Sequence, residues 1–437
     1  MNLIQFSCPV AVWLLLAQTL PGGPNSGPLN DPKNPYDAPV PGFIGPDGIG
    51  KARVLAGLDE NDQEIFQNPN NFVNPLFFAW ASAASNYHRS DAETFFNNPN
   101  LALGPVTGDQ FLGVVSLGDL TTQQIADNAQ PGTITLKFPK PIRNGSGADF
   151  VIFENGLISQ SNTGGAGTGG ILAELARVEV SADGVNFVRF PCTSLTPAKV
   201  GGYGSIDATD VFNLAGKHAN SYGSSWGTPF DLQLIGLPQI THIRIVDIPG
   251  DGSSLDQNGR PIYDAWQTFG SGGFDLDAVG AISTSMSYAE WPQLATLDPT
   301  QRGEMDDPDG DGLPNLLEYA GATLPRIPDA SVTAFELIEE NGMKFTEFRF
   351  IRDERLLDLT YEVQVSGSMD AEDWATVATS TAGGTVLPAS GQFVISESPA
   401  SGITGISVIR EVRVRSSRGP APRYFFRVKV SQLPKIQ

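Results

Sequence analysis

Short runs of apolar or alternating residues, each closed by glycine or proline, recur along this chain of 437 residues. The run at 133–138 alternates strictly and stops at Pro139, whereas the run at 149–153 is almost wholly apolar. Runs of this length, without helical segments between them, predict β-strands in sheets. The 48 glycines and 33 prolines supply turns and disfavour long helices. We therefore predict an all-β chain built from jelly-roll or β-sandwich modules.

One hairpin and a second group of strands stand out. Residues 177–190 contain two β-type runs around Ala182-Asp183-Gly184, which predicts a β-hairpin. In 412–415 valine alternates with arginine, which predicts a sheet with one solvent-facing side. Strong strand patterns in the C-terminal part predict a second, smaller β-module and cover 345–350, 361–365, 408–415 and 424–430.

Between the two groups of strands lies an acidic loop, residues 307–318, with the sequence DPDGDGLPNLLE. It follows the order of an EF-hand-type calcium loop, with alternate carboxylates, a glycine for the sharp turn and a closing glutamate. Aspartates this close repel one another unless a cation balances them. A solvated acidic turn is the alternative. The predicted Ca²⁺ ligands are Asp307, Asp309, Asp311, the backbone carbonyl of Leu313, Asn315 and Glu318.

Only half of an EF-hand accompanies this loop. Residues 315–320 predict one or two helical turns after it, whereas Pro299 and Gly303 exclude a long helix before it. A calcium sensor of the EF-hand type needs both helices. The stretch resembles the loop-and-half-helix repeats of dockerins and thrombospondin type 3 modules, and the DxDGDGxxNxxEY joint of secreted bacterial surface proteins. That resemblance implies a structural calcium site between domains.

The same patterns divide the chain into segments. Residues 9–20 are apolar and end before Pro21, which predicts the core of a signal peptide; a buried N-terminal segment is the alternative. We find no other candidate for a membrane span. The predicted segments are a signal peptide (1–20), a linker rich in Pro, Gly and Asn (21–71), a first β-sandwich (72–287), a linker with the acidic loop (288–327) and a second β-sandwich (328–433).

Motifs within 72–285 are similar to those of galactose-binding-like, discoidin-type sandwiches. The hairpin at 178–187 resembles their VEVSxDGxxF motif. The blocks at 148–156 and 272–280 resemble markers of secreted bacterial surface proteins. The resemblance implies a β-sandwich and ligands that range from glycans to other small molecules, so the fold by itself does not give the ligand.

Scattered carboxylates raise the question of a second site. Asp275 and Asp277 would share one face of a regular strand, about 7 Å apart. Asp149 and Glu154 flank another strand. We predict a second metal or polar-ligand site from these four residues, with a solvated sheet edge as the open alternative. Glu154 with Asp275 or Asp277 would also suit glycoside hydrolysis.

Composition and aromatic residues bear on partners. A net charge of −21 disfavours nucleic acids and anionic membranes as partners. Aromatic rings suit sugar faces, although they serve equally in cores. Candidates for sugar stacking are Trp80, Trp226, Trp266 and Tyr203. We predict a secreted protein, either free or surface-associated, that binds calcium, is not an enzyme, and holds a carbohydrate or cell-surface component through its first module. The alternatives are a structural or adhesive protein without a small ligand, and a secreted glycoside-active enzyme.

Overall fold

The computed structural model describes residues 38–109, 113–270, 272–329, 331–400, 408–416 and 424–434. The fold is all-β, as predicted, with 40% of the residues in strands and 9% in helices. Every ladder between the strands named below is antiparallel. The predicted signal peptide lies outside the described residues.

The first module contains short strands and one α-helix, α1 (Thr122–Ala126), together with 3₁₀ turns at Pro99–Ala102, Ala208–Asp210 and Leu232–Ile235. The strands are β1 (Val40–Pro41), β2 (Phe43–Ile44), β3 (Leu55–Leu58), β4 (Glu64–Phe66), β5 (Phe72–Val73), β6 (Ala79–Trp80), β7 (Ala83–His88), β8 (Val115–Ser116), β9 (Thr133–Arg143), β10 (Phe150–Glu154), β11 (Leu157–Ile158), β12 (Ile171–Leu172), β13 (Ala176–Ser181), β14 (Val188–Arg189), β15 (Thr193–Ser194), β16 (Val211–Phe212), β17 (Trp226–Phe230), β18 (Gln239–Asp247), β19 (Asp251–Leu255), β20 (Pro261–Tyr263) and β21 (Asp275–Ala281).

Two large sheets of this module enclose one core and form a β-sandwich. One sheet has the order β1-β17-β10-β21-β6, with β8 also paired to β21, and the other has the order β14-β13-β18-β9-β7. Phe150 and Leu276 from the first sheet meet Leu136 and Ile243 from the second in a single buried cluster. The apolar run that predicted β10 is buried at all of its positions, since the strand has neighbours on both sides.

The predicted hairpin is confirmed, because β13 and β14 pair across the turn. The end of β9 differs from the prediction, since the strand continues through Pro139 and Pro141 to Arg143. Its register against β18 shifts between the pairs Lys137–His242 and Ile142–Ile240. Both prolines fall within this irregularity, where no regular ladder requires a backbone N–H donor.

The described part of the predicted linker, residues 38–71, is folded onto the first module, and this corrects the prediction. Strand β1 extends the first sheet by pairing with β17, and β2 pairs with β5. Val40 and Phe43 are buried in an apolar cluster. The abundant Pro, Gly and Asn residues of this segment serve tight turns between short strands, which composition alone does not distinguish from an extended linker.

The second module begins with α2 (Pro292–Ala295) and α3 (Asn315–Gly321), and with 3₁₀ turns at Tyr288–Glu290 and Pro299–Gln301. Its strands are β22 (Thr333–Glu340), β23 (Met343–Asp353), β24 (Leu359–Ser366), β25 (Ala375–Thr381), β26 (Leu387–Pro388), β27 (Phe393–Pro399), β28 (Ile409–Ser416) and β29 (Phe425–Gln432). They form two four-stranded sheets, β22-β23-β28-β27 and β26-β25-β24-β29. In β28, Val412 and Val414 are fully buried, in agreement with the predicted alternation.

The junction segment, residues 288–327, packs into the core of the second module. Trp291 and Tyr319 from this segment share one buried cluster with Phe350 and Val412 from the sheets. Leu316 and Ala320 of α3 belong to the same cluster. The segment that bears the acidic loop is therefore a structural part of the second module.

Arg355 fastens the second module to the first. Its Nη1 donates hydrogen bonds to the carbonyl oxygens of Leu76 (2.6 Å) and Ile282 (3.2 Å), while Asp353 pairs with the same guanidinium at 2.6 Å. The guanidinium carbon also lies 3.4 Å from the ring centroid of Phe78. Because the Arg355 side chain is buried, removal of either charge leaves the other without its partner in a dry interface.

Candidate metal centre and buried carboxylates

The acidic loop brings three carboxylates together directly before α3. Oxygen atoms of Asp307, Asp309 and Asp311 all lie within 4.8 Å of one another. Within the described residues this is the sole group of three or more His, Cys, Asp or Glu side chains that meets that distance. Carboxylates held this close disfavour one another's charged form, so a cation between them would relieve the repulsion.

The backbone of the loop fixes the orientation of these side chains. Asp307 accepts hydrogen bonds from the N–H groups of Gly310 (2.9 Å) and Gly312 (3.0 Å). Asp311 accepts one from the N–H of Leu313 at 2.7 Å. Gly312 has φ of 93°, a conformation that glycine adopts without a steric cost. The local sequence thus folds into the sharp turn that the pattern predicted.

Glu318 on α3 is the most informative residue of the site. Its side chain is fully buried, and neither carboxylate oxygen has a hydrogen-bond partner among the described residues. Burial, followed by the charges of Asp309 and Asp311, raises the pKa of Glu318 to about 8. A buried carboxylate without donors is costly unless a cation neutralises it. Glu318 therefore supplies the group that a metal ion between the loop and the helix would bind.

Asn315 has a structural role at the beginning of α3. Its side-chain amide donates to the carbonyl oxygens of Gln301 and Gly303, each at 2.9 Å, and the residue is fully buried. These bonds tie the chain before the loop to the helix after it. The ligand role that the loop pattern predicted for Asn315, and that for the carbonyl of Leu313, stay predictions.

Sequence reasoning missed Asp329. The N–H of Asp329 donates to the second carboxylate oxygen of Asp311 at 2.8 Å. Burial raises the pKa of Asp329, a hydrogen bond from Leu324 opposes the increase, and the charges of Asp311 and Asp309 add to it. Asp329 lies beyond the loop pattern, so no local signal pointed to it; the turn after α3 brings it back to the loop.

The four residues of the predicted second site do not converge, and this corrects the prediction. Asp149 precedes β10, where it accepts bonds from the N–H groups of Gly145 and Leu232, both at 2.7 Å. Glu154 ends the same strand, at the opposite end of the ladder with β21. No three of Asp149, Glu154, Asp275 and Asp277 form a close ligand group within the described residues.

A β-bulge explains why the predicted alternation of Asp275 and Asp277 fails. Opposite β10, the register shifts between the pairs Phe153–Ala278 and Glu154–Leu276, which leaves Asp277 as the extra residue. The Asp277 carboxylate accepts hydrogen bonds from Thr107 (N–H, 3.1 Å), Gly108 (N–H, 2.9 Å) and Asn220 (side chain, 2.9 Å). Asp277 is thus a structural acceptor that holds neighbouring loops.

Glu154 and Asp275 belong to a larger set of buried carboxylates. Burial, followed by the charge of Asp275, raises the pKa of Glu154 well above its ordinary range. Both side chains are about 1% exposed, so within the described residues this pair, one of the two considered for glycoside hydrolysis, is buried. Burial, with an added effect of the charges of other members of the set, raises the pKa of four of them: Glu154, Glu174, Asp247 and Asp264. Asp119 and Asp275 supply some of these charges.

Three of the four aromatic residues considered for sugar stacking are half-buried and packed against other residues. Trp80 lies against Phe77 and Phe153, with ring centroids 4.8 Å and 6.1 Å away. Trp226 is in contact with Gly50, where an added Cβ would lie 2.1 Å from its ring. Trp266 donates its indole N–H to the carbonyl of Leu120 at 3.0 Å. Tyr203 differs, because it is 62% exposed.

Comparisons with known proteins add no family assignment. The sequence matches no protein-family model, and no curated protein is significantly similar to it. No helix in the described part of the chain is long and apolar enough to cross a membrane. The geometry of the acidic loop and of the first β-sandwich is therefore the basis for inferring what the protein does.

Proposed function

We propose that the protein binds Ca²⁺ at the acidic loop and that the ion is structural. The observation that carries this proposal is the buried, unpartnered carboxylate of Glu318 beside the cluster of Asp307, Asp309 and Asp311. Calcium favours about six to eight oxygen ligands in flexible geometry, which carboxylates, carbonyls and water supply together. Bound there, it would offset half of the negative charge of the four carboxylates and link the loop to α3.

The surroundings of α3 support a stabilising role for the ion. Tyr361 of β24 donates its hydroxyl to the carbonyl of Ala320 at 2.9 Å, and Leu316 packs in the second core. An ion that fixes the beginning of α3 thereby acts on the whole second module. The short 3₁₀ turn before the loop provides no second long helix, which a calcium sensor needs in order to change an interhelical angle.

We further propose that the protein is a secreted, non-catalytic binding protein whose first β-sandwich takes a carbohydrate. The net charge of −21, the motifs that resemble those of secreted surface proteins and the sandwich fold support this assignment. A structural or adhesive role without a small ligand is the competing candidate, supported by the same calcium site and by the buried Arg355 contact between modules.

Calcium titration of the purified protein tests the metal proposal. We expect the melting temperature to rise with free calcium and to return to its initial value on chelation, since an ion that binds only the folded state stabilises it. Magnesium at the same concentration serves as a control, because it requires a more rigid octahedral geometry. An unchanged melting temperature in millimolar calcium, together with no binding heat by calorimetry, would refute the proposal.

A further inference from the structure

A cleft of about 700 Å³ opens on the first module, away from the acidic loop. Its walls come from the β11–β12 hairpin, the loop that follows β11, and two loops that each present a tyrosine. The lining residues are Leu157, Ile158, Ser159, Gln160, Ser161, Thr163, Leu172, Tyr203, Ser221, Tyr222 and Ser224. The volume is in the range of clefts that hold small organic ligands.

The chemistry of this lining is selective. All eleven lining residues lie in the described chain, and none of them is charged, although the protein has a net charge of −21. Hydroxyl groups, one side-chain amide, aliphatic side chains and two tyrosine rings make up the walls. Such walls offer hydrogen bonds to a neutral polyol and no counter-ion for an anionic or cationic ligand.

Two of the lining residues are tyrosines that are largely exposed to solvent. Tyr203 is 62% exposed and Tyr222 is 67% exposed, whereas the three tryptophans considered above are packed against other residues. Tyr222 also has φ of 53°, in the left-handed region that non-glycine residues seldom occupy. An exposed aromatic ring with a hydroxyl at its edge can stack on the apolar face of a sugar and bond to the sugar's hydroxyl groups.

The glycine-rich loop at 164–170 positions one of these rings. The carbonyl of Gly164 accepts from the N–H of Ser205 at 3.2 Å, and Ala166 donates to the carbonyl of Ser205 at 2.9 Å. A Cβ at Gly165 would lie 2.0 Å from that carbonyl oxygen. Only glycine permits this close approach, so the loop serves to hold the neighbouring turn that carries Tyr203.

The other tyrosine is held by contacts to the end of β10. Ser221 donates its hydroxyl to the carbonyl of Gly156 at 3.2 Å, and Ser224 donates its N–H to the carbonyl of Ser221 at 2.9 Å. These bonds fix the turn on both sides of Tyr222. The two rings therefore lie on turns that are hydrogen-bonded to other parts of the first module. Ligand binding then costs little conformational entropy in these turns.

We infer that this cleft is the carbohydrate site of the first module and that it takes uncharged saccharides, with Tyr203 and Tyr222 as stacking faces. The inference rests on the proposed function of this module as a binding domain and adds the location and the ligand class. No ligand of the acidic loop lines the cleft, so saccharide contacts do not include calcium.

Affinity electrophoresis tests the inference, with soluble mixed-linkage β-glucan, arabinoxylan and galactomannan as neutral probes and alginate as an anionic probe. We expect wild-type protein to be retarded by at least one neutral probe and not by alginate, in calcium and equally in EDTA at a temperature where the protein stays folded. Tyr203→Ala and Tyr222→Ala should each weaken the interaction about tenfold, consistent with loss of a stacked aromatic contact.

Phe269→Ala is the matched control, since Phe269 is also an exposed aromatic residue of this module and lies outside the cleft lining. It should bind like wild type, and all three variants should keep the wild-type melting temperature and its calcium response. Retardation that survives the double tyrosine substitution, or that occurs only with alginate, would overturn the cleft assignment and leave a binding function in place. No retardation by any neutral probe would overturn both the inference and the carbohydrate proposal, and the calcium proposal would still be judged by its own titration.

Discussion

The hydroxyl of Tyr319 lies 2.9 Å from Oδ1 of Asp358, and this contact joins the helix after the acidic loop to the sheets of the second module. The same hydroxyl lies 3.0 Å from the carbonyl of Met286, and the N–H of Tyr288 donates to Oδ2 of Asp358 at 2.7 Å. The Asp358 carboxylate thus accepts hydrogen bonds from both ends of the junction segment. The calcium-loop helix is fixed from the side of the second module as well as from the loop.

Replacement of Tyr319 by phenylalanine tests this connection. We expect the variant to lose about 1–3 kcal/mol of unfolding free energy, because a buried hydrogen bond to a charged acceptor disappears while the ring stays in place. Denaturant unfolding followed by fluorescence measures the change. Tyr222→Phe is the control, since that side chain is 67% exposed and its hydroxyl loss should have little effect on stability. A variant as stable as wild type would show that the contact is dispensable.

Glu318→Gln should change stability in opposite directions with and without calcium. In chelator at neutral pH the variant should be more stable than wild type by on the order of 1 kcal/mol, because wild type must take up a proton to bury Glu318, whereas the amide is already neutral. In saturating calcium it should be less stable, because most of the ion's stabilisation is lost. For wild type we expect about 4 kcal/mol when free calcium exceeds the dissociation constant roughly a thousandfold.

Glu304→Gln is the control for this pair of measurements, since Glu304 is exposed and lies outside the close carboxylate group. It removes one negative charge from the same segment and should preserve the calcium response. Thermal unfolding with calcium and with EDTA measures both variants. If Glu318→Gln responds to calcium as wild type does, Glu318 is not a ligand.

The buried acids of the first module predict a stability maximum in mildly acidic solution. Burial raises the pKa of Asp149 from 3.8 to about 7 and that of Asp277 from 3.8 to about 6. Between the unfolded pKa of 3.8 and the raised pKa of each group, the folded state holds a proton that the unfolded state has released. The contribution of each group to the free energy of unfolding is therefore greatest below the unfolded pKa and is lost as the pH rises to about 7. A group with the shift of Asp277 contributes roughly 3 kcal/mol over this window.

Carboxylates with lowered pKa determine the acidic end of the pH range in which stability is greatest. The hydrogen bond from Lys140 lowers the pKa of Glu290 from 4.5 to about 2. The contribution of Glu290 to the free energy of unfolding is therefore lost as the pH falls from 4.5 to about 2. We expect greatest stability near pH 4 to 5, measured in EDTA by denaturant unfolding so that calcium release does not interfere. Stability that increases steadily from pH 5 to 8 would contradict this prediction.

Arg355→Met should weaken the contact between the modules. The substitution leaves the Asp353 carboxylate buried without its partner and removes the two bonds to Leu76 and Ile282, for an expected loss of about 3–5 kcal/mol. Lys429→Met is the control, because the solvent-exposed ion pair of Lys429 with Glu362 should contribute less than about 1 kcal/mol. Calorimetry should show the unfolding transition of the Arg355 variant at lower temperature, and an unchanged transition would exclude Arg355 as the fastening residue.

The local sequence determined much of this protein. Alternation and punctuation were sufficient to predict the all-β class and the β13–β14 hairpin, because the period of a strand and the chemistry of a turn depend on neighbouring residues. The contiguous pattern at 307–318 likewise predicted the close carboxylates and the sharp turn at Gly312, since all of its groups lie on one short loop.

Tertiary structure decided what depends on distant residues. A bulge against β10 moved Asp277 out of the pair with Asp275, and strand pairing turned the expected linker at 38–71 into part of the first module. The turn after α3 brought Asp329 to Asp311, and two separate loops brought Tyr203 and Tyr222 to one cleft. Register, burial and the meeting of loops arise from packing between segments far apart in the chain, and no local pattern encodes them.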